Sequence, residues 1–408
     1  MTIKTRPIVE DEVLRFREQF VKGFGEDLDE KDRDPERFLA LLPLDRTVAA
    51  FDGAEIIGTL GAHPLQVTVP GGASVPMAGT TIVTVQNTHR RQGVLRAMMT
   101  DHLNDTATRG EPLAGLWALE TPIYGRFGFG HATSREVVTA PKGSLKMPKS
   151  GDGVVRVIEP DRVATLLPAI YDDVLANRPG MLSRSADWWR HQVVYDPEYR
   201  REGDDSAKRF VAYEAEGRIE GYAIYRQKSE WGDLVPNGQV NVGEAIAISD
   251  RAHSGLWNYL GNLDLFPQVK FWNMPVDDPL WWKLAEPRYV QRKRSDGLWV
   301  RIMDVAAALG ARRYESDGSI RLGIEDPFRA VTSGVYELSV SDGEAKVVEV
   351  DGDAEVNLGI DALGALYLGG SNALSMAGAG LIEGAPEEVT TLHRLFHTAA
   401  EPWCDTIF

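Results

Sequence analysis

Apolar and polar positions change period several times along this chain. In Val48-Ala-Ala-Phe-Asp-Gly-Ala-Glu-Ile-Ile-Gly58 two apolar runs flank an Asp-Gly pair, which predicts a tight β-hairpin. Val211-Ala-Tyr-Glu-Ala-Glu-Gly-Arg-Ile-Glu-Gly221 has the same shape. Ile82, Val83 and Val85 predict a strand, and Val94, Leu95, Ala97, Met98 and Met99 supply the apolar residues of a helix just after it. Ala245 to Leu260 again reads as strand, turn and amphipathic helix. Gly53 and Gly217 are 164 positions apart, and Gly93 and Gly255 are 162 apart. Two features at nearly one offset predict a duplicated domain of roughly 150 residues. Beyond residue 300 the pattern changes. Ile302 to Leu309 predicts a short helix, Val335 to Val340 and Ala345 to Val350 an alternating hairpin around Asp342-Gly343, and Ile360 to Leu366 and Glu387 to Phe396 two more helices. Lys142 to Gly153, rich in Lys, Gly, Ser and Pro, reads as a linker. The expected domains are therefore 1–150, 151–295 and 296–408, of mixed α/β and α+β class.

The turn between the strand at 82–85 and the helix at 94 carries chemistry. It holds Arg90, Arg91, Gln92 and Gly93. At a helix start the first N–H groups have no intrahelical partner, and with the positive end of the helix dipole they can hold a diphosphate. The arginines add charge, and a glycine lets the backbone approach closely. Arg90, Gly93 and Leu95 have the Arg-x-x-Gly-x-Leu spacing that resembles the acetyl-CoA signature of the Gcn5-related N-acetyltransferases (GNAT), where the last position is more often Gly or Ala. The alternative is a basic helix start that binds nothing. No P-loop and no Gly-x-Gly-x-x-Gly followed by an acid surrounds this turn, so a nucleoside triphosphate or a dinucleotide fits less well. The second copy keeps only Arg251 and His253 near Gly255, and is expected to have lost cofactor binding.

Composition narrows the function classes. Of 408 residues 43% are hydrophobic and 25% charged, which suits globular domains. Sixty acidic against 44 basic residues leave a formal charge of −16, which argues against a nucleic-acid partner and suits a cationic one. The first residues hold no apolar signal core, and no apolar run is long enough to cross a bilayer, so a cytoplasmic protein without a membrane partner is expected. One cysteine, Cys404, excludes intrachain disulfides and cysteine-cluster metal sites, and the eight histidines show no ligand-like spacing. No metal is expected.

A second chemical element is Ile123-Tyr-Gly-Arg-Phe-Gly-Phe-Gly130, after an apolar strand at Leu113 to Leu119. In acetyl transfer the departing thiolate gains from receiving a proton, and a phenol within hydrogen-bond reach can supply it. Tyr124 is placed for that role; the alternative is a tyrosine packed under a Gly-rich turn.

Several motifs together carry a wider resemblance. Thr88 to Met98, Ile123 to Gly130, Asn177 to Arg184, Asp296 to Leu309 and a C-terminal phenylalanine look like the bacterial enhanced-intracellular-survival (Eis) family of N-acetyltransferases. The resemblance implies two tandem GNAT folds, then a sterol-carrier-protein-like α+β domain, in homo-hexamers. It implies Tyr124 as general acid and the free carboxylate of Phe408 as general base. Acetyl-CoA contacts carry over to Val83, Thr84 and Val85, to Arg90, Arg91, Gln92, Gly93, Val94, Leu95 and Arg96, and to Leu119 and Glu120. Two departures stand out: Pro122 cannot donate a backbone hydrogen bond beside the pantetheine arm, and Ile407 replaces an acid before the last residue.

Substrate residues are less legible. Phe24-Gly-Glu-Asp-Leu-Asp-Glu30 is an acidic aromatic stretch in which Glu26 and Asp27 would stabilise an ammonium and Phe24 offer a cation–π face. Asp29 to Glu36 reads as a solvated turn, Trp188-Trp189 and Trp281-Trp282 as core or interface, and His89 as a loop residue. The expected activity is acetylation of primary amines on polycations such as aminoglycosides. The alternatives are a lysine, peptide or polyamine acetyltransferase, or a lipid-binding protein with a relic transferase fold. Cys404 has no histidine nearby to make it an acyl acceptor.

Overall fold

The computed structural model describes residues 3–147, 151–201, 203 and 205–408. They form two compact units, one joining the chain up to Thr133 with Gly297–Phe408, the other Ser134–Asp296.

In the first unit β1 (Lys4–Arg6), β2 (Thr47–Asp52), β3 (Glu55–Thr68), β4 (Ser74–Val85), β5 (Leu113–Trp117) and β6 (Gly130–His131) make one sheet in that order, with Leu298–Ile302 inserted between β5 and β6. Four helices accompany them: α1 (Val13–Gly23), α2 (Glu36–Leu41), α3 (Val94–Thr108) and α4 (Thr121–Tyr124). The β2–β3 hairpin turns at Gly53 with φ +60, as the Asp-Gly pair predicts. β4 and β5 run parallel, with α3 between them in sequence. Val94, Met98, Met99 and Leu103 of α3 pack on Leu60, Ala78, Ala114 and Leu116 of the sheet. Val13 and Phe16 of α1 pack with Ala49, Phe51 and Ile56 in a separate cluster.

The second unit repeats this plan. β7 (Ser134–Pro141), β8 (Val154–Ile158), β9 (Arg209–Ala215), β10 (Arg218–Lys228), β11 (Gln239–Ala247), β12 (Gln268–Pro275) and β13 (Gln291–Asp296) form a sheet of order β13-β7-β12-β11-β10-β9-β8. β9 and β10 are the predicted hairpin, and β11 and β12 are parallel with the helix Asp250–Leu260 between them. The repeat read from sequence is therefore visible, and Gly53 and Gly217 both turn their hairpins with positive φ, but the pairing of Gly93 with Gly255 does not hold. Gly255 lies inside that helix, where a Cβ would stand 2.3 Å from Tyr213, and the helix start is capped by Ser249 instead. The predicted linker also moves. β7 pairs with β12 and β13, and Leu145 and Met147 are buried in the second core, so the chain enters this unit at Ser134 rather than at 151. Pro148, Lys149 and Ser150 of that stretch lie outside the described residues.

The strand Leu298–Ile302, now β14, returns the chain to the first sheet. Asp304 then caps the helix Val305–Ala311, accepting from Ala307 N at 2.9 Å, so the helix read from Ile302 starts three residues later. β15 (Gly318–Glu325), β16 (Gly334–Ser341), β17 (Glu344–Glu349), β18 (Val356–Gly359) and β19 (Ile382–Gly384) build a third sheet, β17-β16-β15-β18-β19. The predicted helices occur at Ile360–Leu366 and Pro386–Phe396. The first of them lies directly on β6 and β14: a Cβ on Gly130 would stand 1.8 Å from the Asp361 carbonyl, and one on Gly364 2.2 Å from that of Val300. Only glycine permits that approach.

Candidate active site

β4 and β5 pair at Met77, Ala78 and Gly79 with Leu113, Ala114 and Gly115, and no further ladder joins them. β4 continues to Val85 and β5 to Trp117, so the two strands open into a fork. On its other edge β4 carries a β-bulge, since Gly61 faces Thr81 and Thr59 faces Thr84, leaving Ile82 and Val83 opposite Leu60. Ile82 takes a left-handed φ of +47. Its carbonyl accepts from the buried hydroxyl of Thr59 at 2.8 Å, and that hydroxyl also meets Thr84 Oγ1 at 2.7 Å. The bulge turns Val83, Thr84 and Val85, the expected cofactor strand, into the open arm.

Arg90, Arg91, Gln92 and Gly93 follow as an exposed turn. Arg91 has φ +60 and Gly93 φ +86, which bend the chain into α3. Among the described residues no side chain caps α3, and its first α-helical bond is Ala97 N to Gly93 O, so the N–H groups of Gly93, Val94, Leu95 and Arg96 have no partner within the helix. Among the described residues neither Arg90 nor Arg91 makes an ion pair. The second copy differs at the equivalent place: Ser249 Oγ accepts from Ala252 N, and Arg251 is held by Glu220 and Glu216. Hydrogen bonds from Arg251 and from the Ser249 hydroxyl hold the Glu220 carboxyl down at about 2. His253 Nε2 lies 3.0 Å from Asp278.

Leu119 and Glu120 are exposed after β5, and Pro122 sits in the first turn of α4, where its missing N–H leaves nothing unsatisfied. Tyr124 ends that turn, half-buried, its ring edge-on to Phe129 at 6.2 Å. Burial, helped by the charge of Glu120, pushes its phenol up to about 12. Among the described residues its hydroxyl has no hydrogen-bond partner. Gly128, with φ +81, donates to the Gly125 carbonyl at 2.8 Å and closes the loop behind it.

The chain end reaches the fork. Arg312, fully buried, donates to the carbonyls of Tyr367 and Phe396 and so anchors the end of the last helix. Pro402 to Thr406 are buried, and the Thr406 carbonyl accepts from Trp117 Nε1 at 3.0 Å, on the open arm of β5. The ring of Phe408 lies edge-on to His63 at 6.4 Å and against Gly79, the last residue of β4 paired with β5. Cys404 is buried with its Sγ 3.3 Å from the Thr406 carbonyl.

Phe24, Glu26 and Asp27 are exposed beyond α1, with Phe24 edge-on to Phe20 at 6.5 Å. A Cβ on Gly23 would stand 2.6 Å from the Thr84 side chain, so the end of α1 abuts the open arm of β4. The neighbouring stretch is not wholly solvated, since Asp32 is buried and lies 3.7 Å from Arg37. Trp188 and Trp189 are core residues as expected, whereas Trp282 is 86% exposed. His89 lies in the turn just before Arg90 to Gly93. Sequence reading missed Thr59, His63, Gly79 and Trp117. No local signal marks them, because the partner of Trp117 lies 289 residues away along the chain.

Comparison with known proteins follows the same order of domains. Family models match as an acetyltransferase (GNAT) domain over residues 4–132, another over 180–302, and a sterol carrier protein domain over 305–405. An uncharacterized N-acetyltransferase of Streptomyces avermitilis is 36% identical, covering 99% of both chains. N-acetyltransferase Eis of Mycobacterium tuberculosis is 34% identical over 83% of both. The crystal structure of Eis1 from Mycobacterium abscessus is similar with a TM-score of 0.85 at 30% identity, over 99% of this chain and 100% of that one. A GCN5-related N-acetyltransferase from Anabaena variabilis, at 19% identity and a TM-score of 0.86, shares the fold. The chain thus belongs to the Eis family and is an N-acetyltransferase built from two GNAT domains and a sterol-carrier-protein-like domain.

Proposed function

We propose that the first GNAT domain transfers the acetyl group of acetyl-CoA to primary amines of polycationic small molecules, with aminoglycosides as the class it serves. The observation that carries this reading is the fork of β4 and β5 leading into an uncapped basic helix start. An extended pantetheine chain has the amide groups to pair with an open strand edge, here Val83 to Val85, with Leu119 and Glu120 across the fork. The diphosphate would lie on the N–H groups of Gly93 to Arg96 with Arg90, Arg91 and Gln92 around it. The second domain's helix start is already engaged by Ser249 and by the Arg251–Glu220 pair, which supports a scaffold role for that copy.

In the reaction the amine nitrogen bonds to the thioester carbon, the C–S bond breaks, Tyr124 protonates the departing sulfur and the amine proton passes to the Phe408 carboxylate, directly or through water. A phenol raised to about 12 stays protonated at neutral pH and can serve as the acid. The burial that raises it also raises the departing thiol, which keeps the transfer within reach. A chain-end carboxylate has a reference pKa of about 3.5 against about 10.4 for an alkylammonium, so as a base it depends on desolvation to narrow the gap. Phe24, Glu26 and Asp27 are offered as the face that receives a cationic acceptor, supported by the abutment of α1 on Thr84. A homo-hexamer in the cytoplasm completes the reading; no described helix is long and apolar enough to cross a membrane.

The test is thiol release from acetyl-CoA with aminoglycosides, diamines and lysyl peptides. Turnover confined to peptides or polyamines would reassign the substrate. No turnover together with no acetyl-CoA binding would make the transferase fold a relic.

A further inference from the structure

The loop after β15, residues 326–329, touches both halves of the apparatus proposed above although it belongs to the third domain. Its anchor is Arg301 of β14, which is fully buried. One end of that guanidinium donates to the Phe127 carbonyl and the other to Asp326 Oδ2. The second carboxylate oxygen of Asp326 accepts from the backbone N–H of Phe328 at 3.1 Å and of Arg329 at 2.9 Å, and Asp326 N donates to Ser333 Oγ at 2.9 Å. Asp326 therefore fixes its own loop with one oxygen and grips Arg301 with the other.

The loop so held presents Phe328. Its ring meets Phe127 edge-on at 5.0 Å and 87°. The guanidinium of Arg96, in the first turn of α3, lies over the same ring at 5.3 Å from its centre. Phe127 is thus held by its carbonyl and by its ring, three residues after Tyr124. The N–H of Phe129 returns to the Tyr124 carbonyl at 3.3 Å and closes the turn. Gly128 is what admits the grip, because a Cβ there would stand 1.7 Å from Arg301 Nη1.

We infer that the Asp326–Phe328 segment is a positioning element that sets the Tyr124 loop and the Arg96 guanidinium relative to each other. The inference rests on the roles given to Tyr124 and Arg96 under the proposed function. A buried ion pair is a poor source of stability compared with apolar packing of equal volume, so what Arg301 and Asp326 contribute is direction. Phe328 is only half-buried, and its ring joins Phe127 of the Tyr124 loop to Arg96 of α3.

The full-length protein tests this with Phe328→Ala, Phe328→Leu, Phe328→Tyr and Asp326→Asn. Phe328→Tyr keeps the ring and should behave as wild type. Phe328→Leu keeps apolar volume against Phe127 but removes the ring face from Arg96, so acetyl-CoA should bind about two- to fivefold more weakly by calorimetry, the worth of an exposed cation–π contact, with kcat preserved. Phe328→Ala should add a fall in kcat of about 10- to 100-fold, since ångström-scale misplacement of a catalytic group costs that much. In the same variant water entering the loosened loop should move any alkaline limb of kcat to lower pH. Asp326→Asn keeps the loop bonds through its amide oxygen but sets an NH2 against Arg301 and removes its counter-charge, so kcat should fall beyond what the lost thermal stability accounts for, with acetyl-CoA affinity unchanged. The inference is overturned if Phe328→Ala folds with wild-type kcat and affinity, or if all four variants lose activity only in proportion to lost thermal stability. A Tyr124→Phe protein with full kcat would instead remove the acid assignment, while the affinity arm still decides the link to Arg96.

Discussion

The ring of Phe408 rests on Gly79, with Cε2 3.1 Å from where a Cβ at position 79 would stand. Gly79 and Gly115 form the last pair before β4 and β5 part, so the chain end is packed at the apex of the fork. A methyl group at position 79 would also stand 2.5 Å from Leu65 Cδ1. Gly79→Ala should therefore shift the terminal ring while the turn Arg90 to Gly93, beyond the end of β4, stays intact. Amine turnover should fall by roughly 10- to 100-fold with acetyl-CoA affinity little changed. Steady-state kinetics beside calorimetry would check this, and unchanged kcat would show that the terminus is tolerant of position.

Tyr124→Phe keeps the ring against Phe129 and removes only the hydroxyl. Turnover should drop by about 10²- to 10⁴-fold, the usual contribution of a positioned proton donor, with little effect on cofactor binding. Because the phenol is pushed up to about 12, the wild-type enzyme should show no loss of this acid across the neutral and mildly alkaline range. A kcat profile that falls with a midpoint below pH 9 in the wild type and survives unchanged in Tyr124→Phe would assign the proton to another group.

Arg91→Ala combined with Gly93→Glu removes a cation and adds an anion at the α3 start. Acetyl-CoA binding should be lost while circular dichroism stays native. The matching change in the second copy, Arg251→Ala, breaks the pair with Glu220 and should lower the thermal midpoint without altering cofactor affinity. Equal loss of affinity in both proteins would mean that the second domain also binds the cofactor.

What the sequence made legible was local. Arg90 to Gly93, the strand before them and α3 after them are contiguous, so turn chemistry and periodicity suffice to place them. The Ile123 to Gly130 loop is legible for the same reason. The fork is not, because it depends on Gly79 meeting Gly115 and on the ladder ending there, a matter of which strands are neighbours. Leu298–Ile302 entering the sheet beside β5, and the grip of Arg301 on the Phe127 carbonyl, are likewise long-range. Gly255 shows the opposite hazard: a matching offset suggested a loop glycine, and packing against Tyr213 explains it instead. Phe24, Glu26 and Asp27 are legible only through charge, an aromatic ring and their place after the first helix, and they stand exposed with the end of α1 tying them to the site.

His102 of α3 is fully buried and meets Thr80 Oγ1 at 2.7 Å, tying α3 to the arm of the fork. Burial lowers its pKa to about 4. The unfolded chain then takes up a proton near pH 6.5 that the folded protein refuses until about 4, so stability is full above pH 6.5 and drains as pH falls through that window. The loss attributable to this group reaches about 3 kcal/mol at pH 4. His63 is shifted in the same direction by burial and shares the trend. His102→Gln, which can keep the bond to Thr80, should flatten the fall in thermal midpoint between pH 7 and pH 5. An identical slope in wild type and variant would place the pH sensitivity elsewhere.

The central claim is that the first domain performs acetyl transfer with the chain end as part of its site, and a C-terminal extension tests it most directly. A short tag after Phe408 moves the carboxylate away from the fork and leaves Tyr124 and the start of α3 untouched, whereas the same tag at the N-terminus disturbs none of the three. Thiol release with an aminoglycoside acceptor should fall by about 100-fold or more in the C-terminally tagged protein, with acetyl-CoA affinity retained, and return on proteolytic removal of the tag. Full turnover by a protein shown by mass spectrometry to keep its C-terminal tag would contradict the account.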